Sequence, residues 1–118
     1  MNHFDTEMTE LYKTSKGCTY QCDLTDRICL QFGDIRASFK VRDFFTFRRT
    51  VKTLNIHQMI FNLSDESDFE WIASPKNDIA KQLTLCEIIQ LRDLLDGTTF
   101  SLALNSMLHE ALGTPVLV

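Results

Sequence analysis

One spacing of apolar residues occurs twice, 44 residues apart: Phe39-x-Val41-x-Asp43-Phe44-x-x-Phe47-x-x-x-Val51 and Leu83-x-Leu85-x-Glu87-Ile88-x-x-Leu91-x-x-x-Leu95. In each stretch, alternation switches at an acidic residue to the i, i+3, i+7 spacing of a helix, which predicts a strand running directly into an amphipathic helix. The chain therefore reads as two related strand-then-helix units.

Ahead of the first copy, Leu11 to Lys16 opens a strand, and Cys18, Tyr20 and Cys22 alternate with Thr19 and Gln21 as far as the turn Asp23-Leu24-Thr25-Asp26. Ile28, Leu30 and Phe32 then alternate up to Gly33-Asp34, and Ile35, Ala37, Phe39 and Val41 alternate after it. A two-residue loop with Gly first suits the primed turns that match strand twist. That loop sets Phe32 opposite Ile35, Leu30 opposite Ala37 and Ile28 opposite Phe39 on a core face. On the other face Gln31 meets Arg36, Cys29 meets Ser38 and Arg27 meets Lys40, so that face is polar and cationic. The helix that follows carries Phe44, Phe47, Val51 and Leu54 on one stripe, with Arg48, Arg49 and Lys52 off it and Asn55 terminating it.

The second unit opens with Met59, Phe61 and Leu63 alternating, passes the acidic turn Asp65-Glu66-Ser67-Asp68 and continues through Phe69, Trp71 and Ala73. A break at Ser74-Pro75-Lys76-Asn77-Asp78 leads to Ile79, Leu83 and Leu85 and a second helix ending at Asp96-Gly97. Beyond it, Phe100, Leu102 and Leu104 alternate like a strand. Phe100, Leu104, Met107, Leu108, Ala111 and Leu112 nevertheless share one helical face, so a third helix over about 99–112 is expected. With 118 residues and 44% hydrophobic content there is material for one core. The expected fold is a single α+β domain spanning 1–118. It comprises antiparallel β-meanders each closed by a helix, as two pseudo-repeated units (about 10–54 and about 57–96), plus the C-terminal helix.

Charge divides the units. The net charge of −4 conceals +2 over residues 1–54 and −6 over 55–118. The cations Arg27, Arg36 and Lys40 on the sheet face, extended by Arg42, Arg48 and Arg49, form the candidate ligand-binding surface for nucleic acid or another anion. A sequence pI of about 5.2 weighs against a dedicated nucleic-acid binder. The hairpin's own cationic face carries no aromatic, and Phe45, Tyr20 and Trp71 elsewhere could stack a base or simply pack a sheet and helix.

Other chemistry finds little material. The polar, acidic start lacks the basic and apolar regions of a secretory signal, and no run reaches the ~20 apolar residues that span a bilayer, so a cytosolic location is expected. Cys18, Cys22, Cys29 and Cys86 are then reduced thiols. Cys18 and Cys22 on one strand would lie about 13 Å apart, too far to share a zinc ion, and His3, His57 and His109 have no ligand-like spacing. No nucleophile or phosphate-loop motif is present. Asp43 and Glu87 stand at helix starts, where carboxylates cap N–H groups and complement the dipole. No catalytic residue, cofactor or metal is expected.

The run Cys22-Asp23-Leu24-Thr25-x-x-Ile28-x-Leu30-x-Phe32-Gly33-Asp34 with Phe39-x-Val41-x-Asp43-Phe44-x-x-Phe47 resembles a small bacterial family whose members carry C-x-x-C before an F-G-N turn and a short helix. The resemblance covers residues 17–95, with Thr25 in place of the second Cys and Asp34 in place of Asn, and it implies no particular activity. In architecture alone, strand meanders each closed by a helix are similar to the Pur-alpha and Whirly type of single-stranded nucleic-acid-binding fold. The expectation is a non-enzymatic binding or regulatory module with a protein partner or single-stranded nucleic acid as ligand and no membrane. A homodimer is expected because the sheet edges and the tail Val116-Leu117-Val118 need cover.

Overall fold

Alternation along the first part of the chain produces four short strands, β1 (Met8–Lys13), β2 (Gly17–Cys22), β3 (Ile28–Phe32) and β4 (Ile35–Phe39), in an antiparallel meander of order β1-β2-β3-β4. The computed structural model describes residues 8–54, 69–77 and 79–111, with the side chains of the last helix described to residue 107. The expectations for Asn55, Met59, Phe61, Leu63, the acidic turn at 65–68, His3, His57 and the tail at 113–118 fall outside the described residues.

The β3–β4 hairpin has the expected register, Phe32 facing Ile35, Leu30 facing Ala37 and Ile28 facing Phe39. Gly33 takes φ 56° whereas Asp34 stays at negative φ, which puts the left-handed residue first in the loop, the arrangement of a type II′ turn. Asp26 also takes a positive φ, 59°, in the β2–β3 turn, where its Oδ1 accepts a 2.7 Å bond from Gln21. The first strand begins earlier than its periodicity indicates, because a bulge between Glu10 and Tyr12 puts Leu11 out of step with β2 and interrupts the alternation.

Helix α1 (Val41–Lys52) follows β4 through Lys40 alone. Val41, expected to end the strand, is instead the first helical residue, since Lys40 makes the change of direction with extended backbone (φ −65°, ψ 153°). Phe44, Phe47 and Val51 bury against the sheet, with the Phe47 ring stacked on Phe39 at 5.2 Å and the Phe44 ring edge-on to it at 5.9 Å.

A second hairpin, β5 (Phe69–Ser74) and β6 (Ile79–Thr84), is joined by a 3-10 turn at Pro75–Asn77 and leads without a spacer into α2 (Leu85–Ala111). A reciprocal capping box starts α2. The Glu87 backbone N–H donates to Thr84 Oγ1 at 3.2 Å, and the Thr84 N–H donates to Glu87 Oε1 at 2.9 Å. The two stretches of matched spacing are also matched in burial: Phe39, Phe44, Phe47 and Val51 in one and Leu83, Ile88, Leu91 and Leu95 in the other are all buried.

Three expectations need correction. Phe69, Trp71 and Ala73 point outward and Ile72 inward, because Ile79 and Leu83 of β6 face the core and the register pairs them with Ser74 and Glu70. The second helix does not stop at Asp96-Gly97, and the helix expected over about 99–112 is not separate from it: α2 runs unbroken through Asp96 and Gly97 as far as Ala111. Gly97 is needed there because a Cβ would lie 2.3 Å from Tyr12 Cε2, so only a bare backbone lets β1 approach α2. Continuity also reverses the facing of the last turns. Leu91, Leu95, Thr98 and Leu102 share the inward stripe, and Phe100, Leu104 and Met107 are exposed.

The core thus lies between one face of the four-stranded sheet and helices α1 and α2, with Ile72, Ile79 and Leu83 closing one end. Arg92 ties the helices by donating to the carbonyls of Val51, Lys52 and Leu54 at the end of α1. Among the described residues no helix is long and apolar enough to cross a membrane.

Candidate functional site

The face of the four-stranded sheet turned away from the helices is built by the complement of the core pattern. Pairing places Glu10, Tyr20, Cys29 and Ser38 in one row across the four strands and Lys13, Cys18, Gln31 and Arg36 in the next. Along β4, Arg36 and Ser38 alternate with the inward Ala37 and Phe39, and the extended backbone of Lys40 continues the alternation. The three side chains therefore form one outward file about 13 Å long at ~3.3 Å per residue.

Two depressions lie along that file. A shallow hollow of about 440 Å³ is lined by Met8, Tyr20, Cys29, Gln31, Arg36 and Ser38. At the other end, a groove of about 700 Å³ is lined by Arg27, Lys40, Arg42 and Lys76, with Asp26, Asp43 and Thr25. Arg27 joins the two by donating from Nε to Ser38 Oγ at 2.8 Å and from its guanidinium to the Ser38 carbonyl at 2.9 Å. It contacts Ser38 rather than standing unsupported opposite Lys40, which relieves the like-charge juxtaposition.

The groove also receives the start of α1. Lys40 occupies the N-cap position with no side-chain cap, and the first N–H groups of a helix have no acceptor within it. Lys40, Val41, Arg42 and Asp43 all line the groove. Asp43 does not cap the helix as expected of it: Lys76 binds it at 3.2 Å, which offsets the one carboxylate at the helix start. Backbone N–H groups, the positive end of the helix dipole and four cationic side chains converge there, an arrangement that favours an anion.

Of the six candidate residues, Arg27, Lys40 and Arg42 come together at the groove, and Arg36 stands on the same face at the hollow. Arg48 does not join them. It reaches Asp96 of α2 at 2.9 Å, and Lys52 reaches the same carboxylate at 3.3 Å, so this side of α1 is occupied by an interhelical ion pair. Asp96 stands in the second copy of the apolar spacing where Lys52 stands in the first, and the opposite charges at matched positions meet. Arg49 is exposed in the last turn of α1, at the other end of the helix from the groove. Phe45 is half-buried on α1, packed against the core edge-on to Phe44. Tyr20 does lie on the outward face, half-buried in the hollow.

Sequence reasoning missed Lys76. Its side chain arrives at the start of α1 from the 3-10 turn 33 residues further along, and nothing local to either segment signals that meeting. Cys18 and Cys22 flank Tyr20 on β2, and the four cysteines form no disulfide. Compared with known proteins, the chain matches no family model, no curated protein and no solved structure.

Proposed function

We propose that this chain is a small, non-enzymatic cytosolic binding module that acts as a homodimer and holds single-stranded nucleic acid along the outward face of its four-stranded sheet. The observation that carries the reading is the file Arg36–Ser38–Lys40, about 13 Å long, running from the Tyr20 hollow to the cationic groove at the start of α1. An extended polyanion needs charges spaced along its backbone and a ring against which a base can stack, and this face supplies both. A strand meander closed by a helix, as in β1–β4 with α1, is similar in architecture to one unit of the Pur-alpha and Whirly type of fold, an analogy that supports the reading without carrying it. Nine of the twelve Lys/Arg lie in residues 1–54, so the net charge of −4 does not describe this face.

The test is fluorescence anisotropy with labelled single-stranded DNA and RNA at low and high salt. Binding is expected at low salt, weakened by salt and removed by Arg36→Glu combined with Lys40→Glu. Absence of binding at micromolar protein, or binding indifferent to that pair of substitutions, rules the reading out.

A further inference from the structure

The last turns of α2 present large apolar side chains to solvent. Phe100 is 67%, Leu104 41% and Met107 65% exposed, and they recur at i, i+4 and i+7 on one face. Leu102 still packs on the core, but every described side chain from Ala103 to Met107 is exposed, so the helix projects beyond the core from residue 103 as an arm. From Gly97 to Leu108 twelve consecutive residues carry no charge. An arm meant for an anionic membrane surface or a charged protein would carry complementary charge, commonly cations on its polar side.

A second apolar surface is left open on the other hairpin. Phe69 is 45% and Trp71 64% exposed on the outward face of β5, beside Ala73 and its cross-strand neighbour Ala80. Phe69 to Ala73 spans about 13 Å along the strand, and Phe100 to Met107 spans about 11 Å along the helix. The two patches are similar in length, both apolar and carried by the same chain.

We infer that the arm of one copy, residues 100–107, lies across the Phe69–Trp71 face of β5 in a second copy, and reciprocally. Two unlike patches that complement each other close into a two-fold dimer when each copy gives its arm and receives the other's. Taking roughly 200 Å² for a large side chain, the five exposed side chains amount to roughly 550 Å² per copy. The alanines, Asn105 and Ser106 around them bring this towards the ~800 Å² per partner of a stable interface. On the same basis of roughly 200 Å² per side chain, the arm's side chains supply roughly 350 Å² and those of the β5 face roughly 220 Å², and exposed apolar patches of a few hundred Å² are often functional. The inference rests on the homodimeric reading above and names its interface.

Trp71 is the only tryptophan, so its emission reports on the β5 face directly. The experiment combines sedimentation velocity with tryptophan emission on the full chain across a micromolar concentration series. Association to a dimer is expected with a parallel blue shift of emission. Phe100→Ser with Met107→Ser should shift the midpoint of association at least tenfold while leaving the far-ultraviolet circular dichroism unchanged. Should that variant unfold, Leu104→Lys serves the same purpose with a smaller change. A chain monomeric throughout overturns both the dimer and its interface. A dimer whose tryptophan emission does not move, or which survives Trp71→Ser unweakened, overturns the interface and leaves the dimer standing.

Discussion

Tyr12 packs against Gly97 so closely that a Cβ at position 97 would lie 2.3 Å from Tyr12 Cε2. Glycine in a helix interior normally costs about 0.5–1 kcal/mol relative to alanine, so Gly97→Ala would ordinarily be stabilising. Here the sign reverses. The half-buried Tyr12 ring must move for the methyl group to fit, and a loss of about 1–3 kcal/mol is expected from overpacking. Urea unfolding measures it: Gly97→Ala should lower the midpoint, and Tyr12→Ala with Gly97→Ala should cost less than the two changes summed. A raised midpoint for Gly97→Ala alone would mean that β1 does not approach α2 this closely.

Thr19 of β2 and Thr98 of α2 share a buried hydrogen bond of 2.6 Å. The Thr98 hydroxyl also donates to the Leu94 carbonyl at 2.7 Å, so it accepts from Thr19. Thr98→Val should therefore strand a buried hydroxyl and cost about 1–3 kcal/mol, whereas the double change Thr19→Val with Thr98→Val should be close to neutral. Equal losses in the single and double variants, read by thermal or urea unfolding, would contradict this pairing.

Arg92 holds the C-terminal carbonyls of α1 with bonds to Val51, Lys52 and Leu54. The Val51 carbonyl also accepts from the Leu54 backbone N–H at 3.3 Å, and hydrogen bonds to a charged group are worth about 1.5–3 kcal/mol each when removed. Arg92→Ala is expected to destabilise the chain by an amount in that range. Hydrogen exchange should show early opening of the last turn of α1, at residues 49–52, with protection of β3 and β4 little changed. Uniform loss of protection would indicate that Arg92 supports the whole core instead.

The difference between the legible and the illegible parts of this fold is one of range. The β3–β4 hairpin could be read to single-residue register because Gly33 forces a two-residue loop and everything else follows from a period of two. The stripes of α1 and of the first half of α2 were legible for the same reason. The facing of β5 was not, because Phe69 and Trp71 are more apolar than Glu70 and Ser74, and only the pairing with Ile79 and Leu83 of β6 decides which set turns inward. Gly97 carries two meanings in a sequence, a helix stop or a close approach, and Tyr12, 85 positions earlier, chooses between them. At the candidate site, Arg27, Lys40 and Arg42 were legible as a charge cluster. That Arg48 is occupied by Asp96, and that Lys76 completes the groove, depends on contacts between segments distant in the chain.

The ion pair of Arg48 and Lys52 with Asp96 gives a control for the binding surface. Both basic side chains are partly exposed, so the pair contributes little to stability, about 0–1 kcal/mol. Since this side of α1 faces α2 and not the groove, Arg48→Ala should leave affinity for a single-stranded oligonucleotide within about twofold of the parent chain, well under 1.4 kcal/mol. A loss as large as that caused by Arg36→Ala would extend the surface to the far side of α1.

The proposed nucleic-acid surface consists of Arg27, Arg36, Lys40 and the groove at the start of α1, on the outward face of the four-stranded sheet. Its most direct measurement is the slope of log affinity against log salt concentration for a single-stranded oligonucleotide. Three or four phosphate contacts predict a slope of about −2 to −3, and Arg36→Ala should reduce its magnitude by about 0.7–1. No measurable binding, or a slope that Arg36→Ala and Lys40→Ala both leave unchanged, would contradict the account.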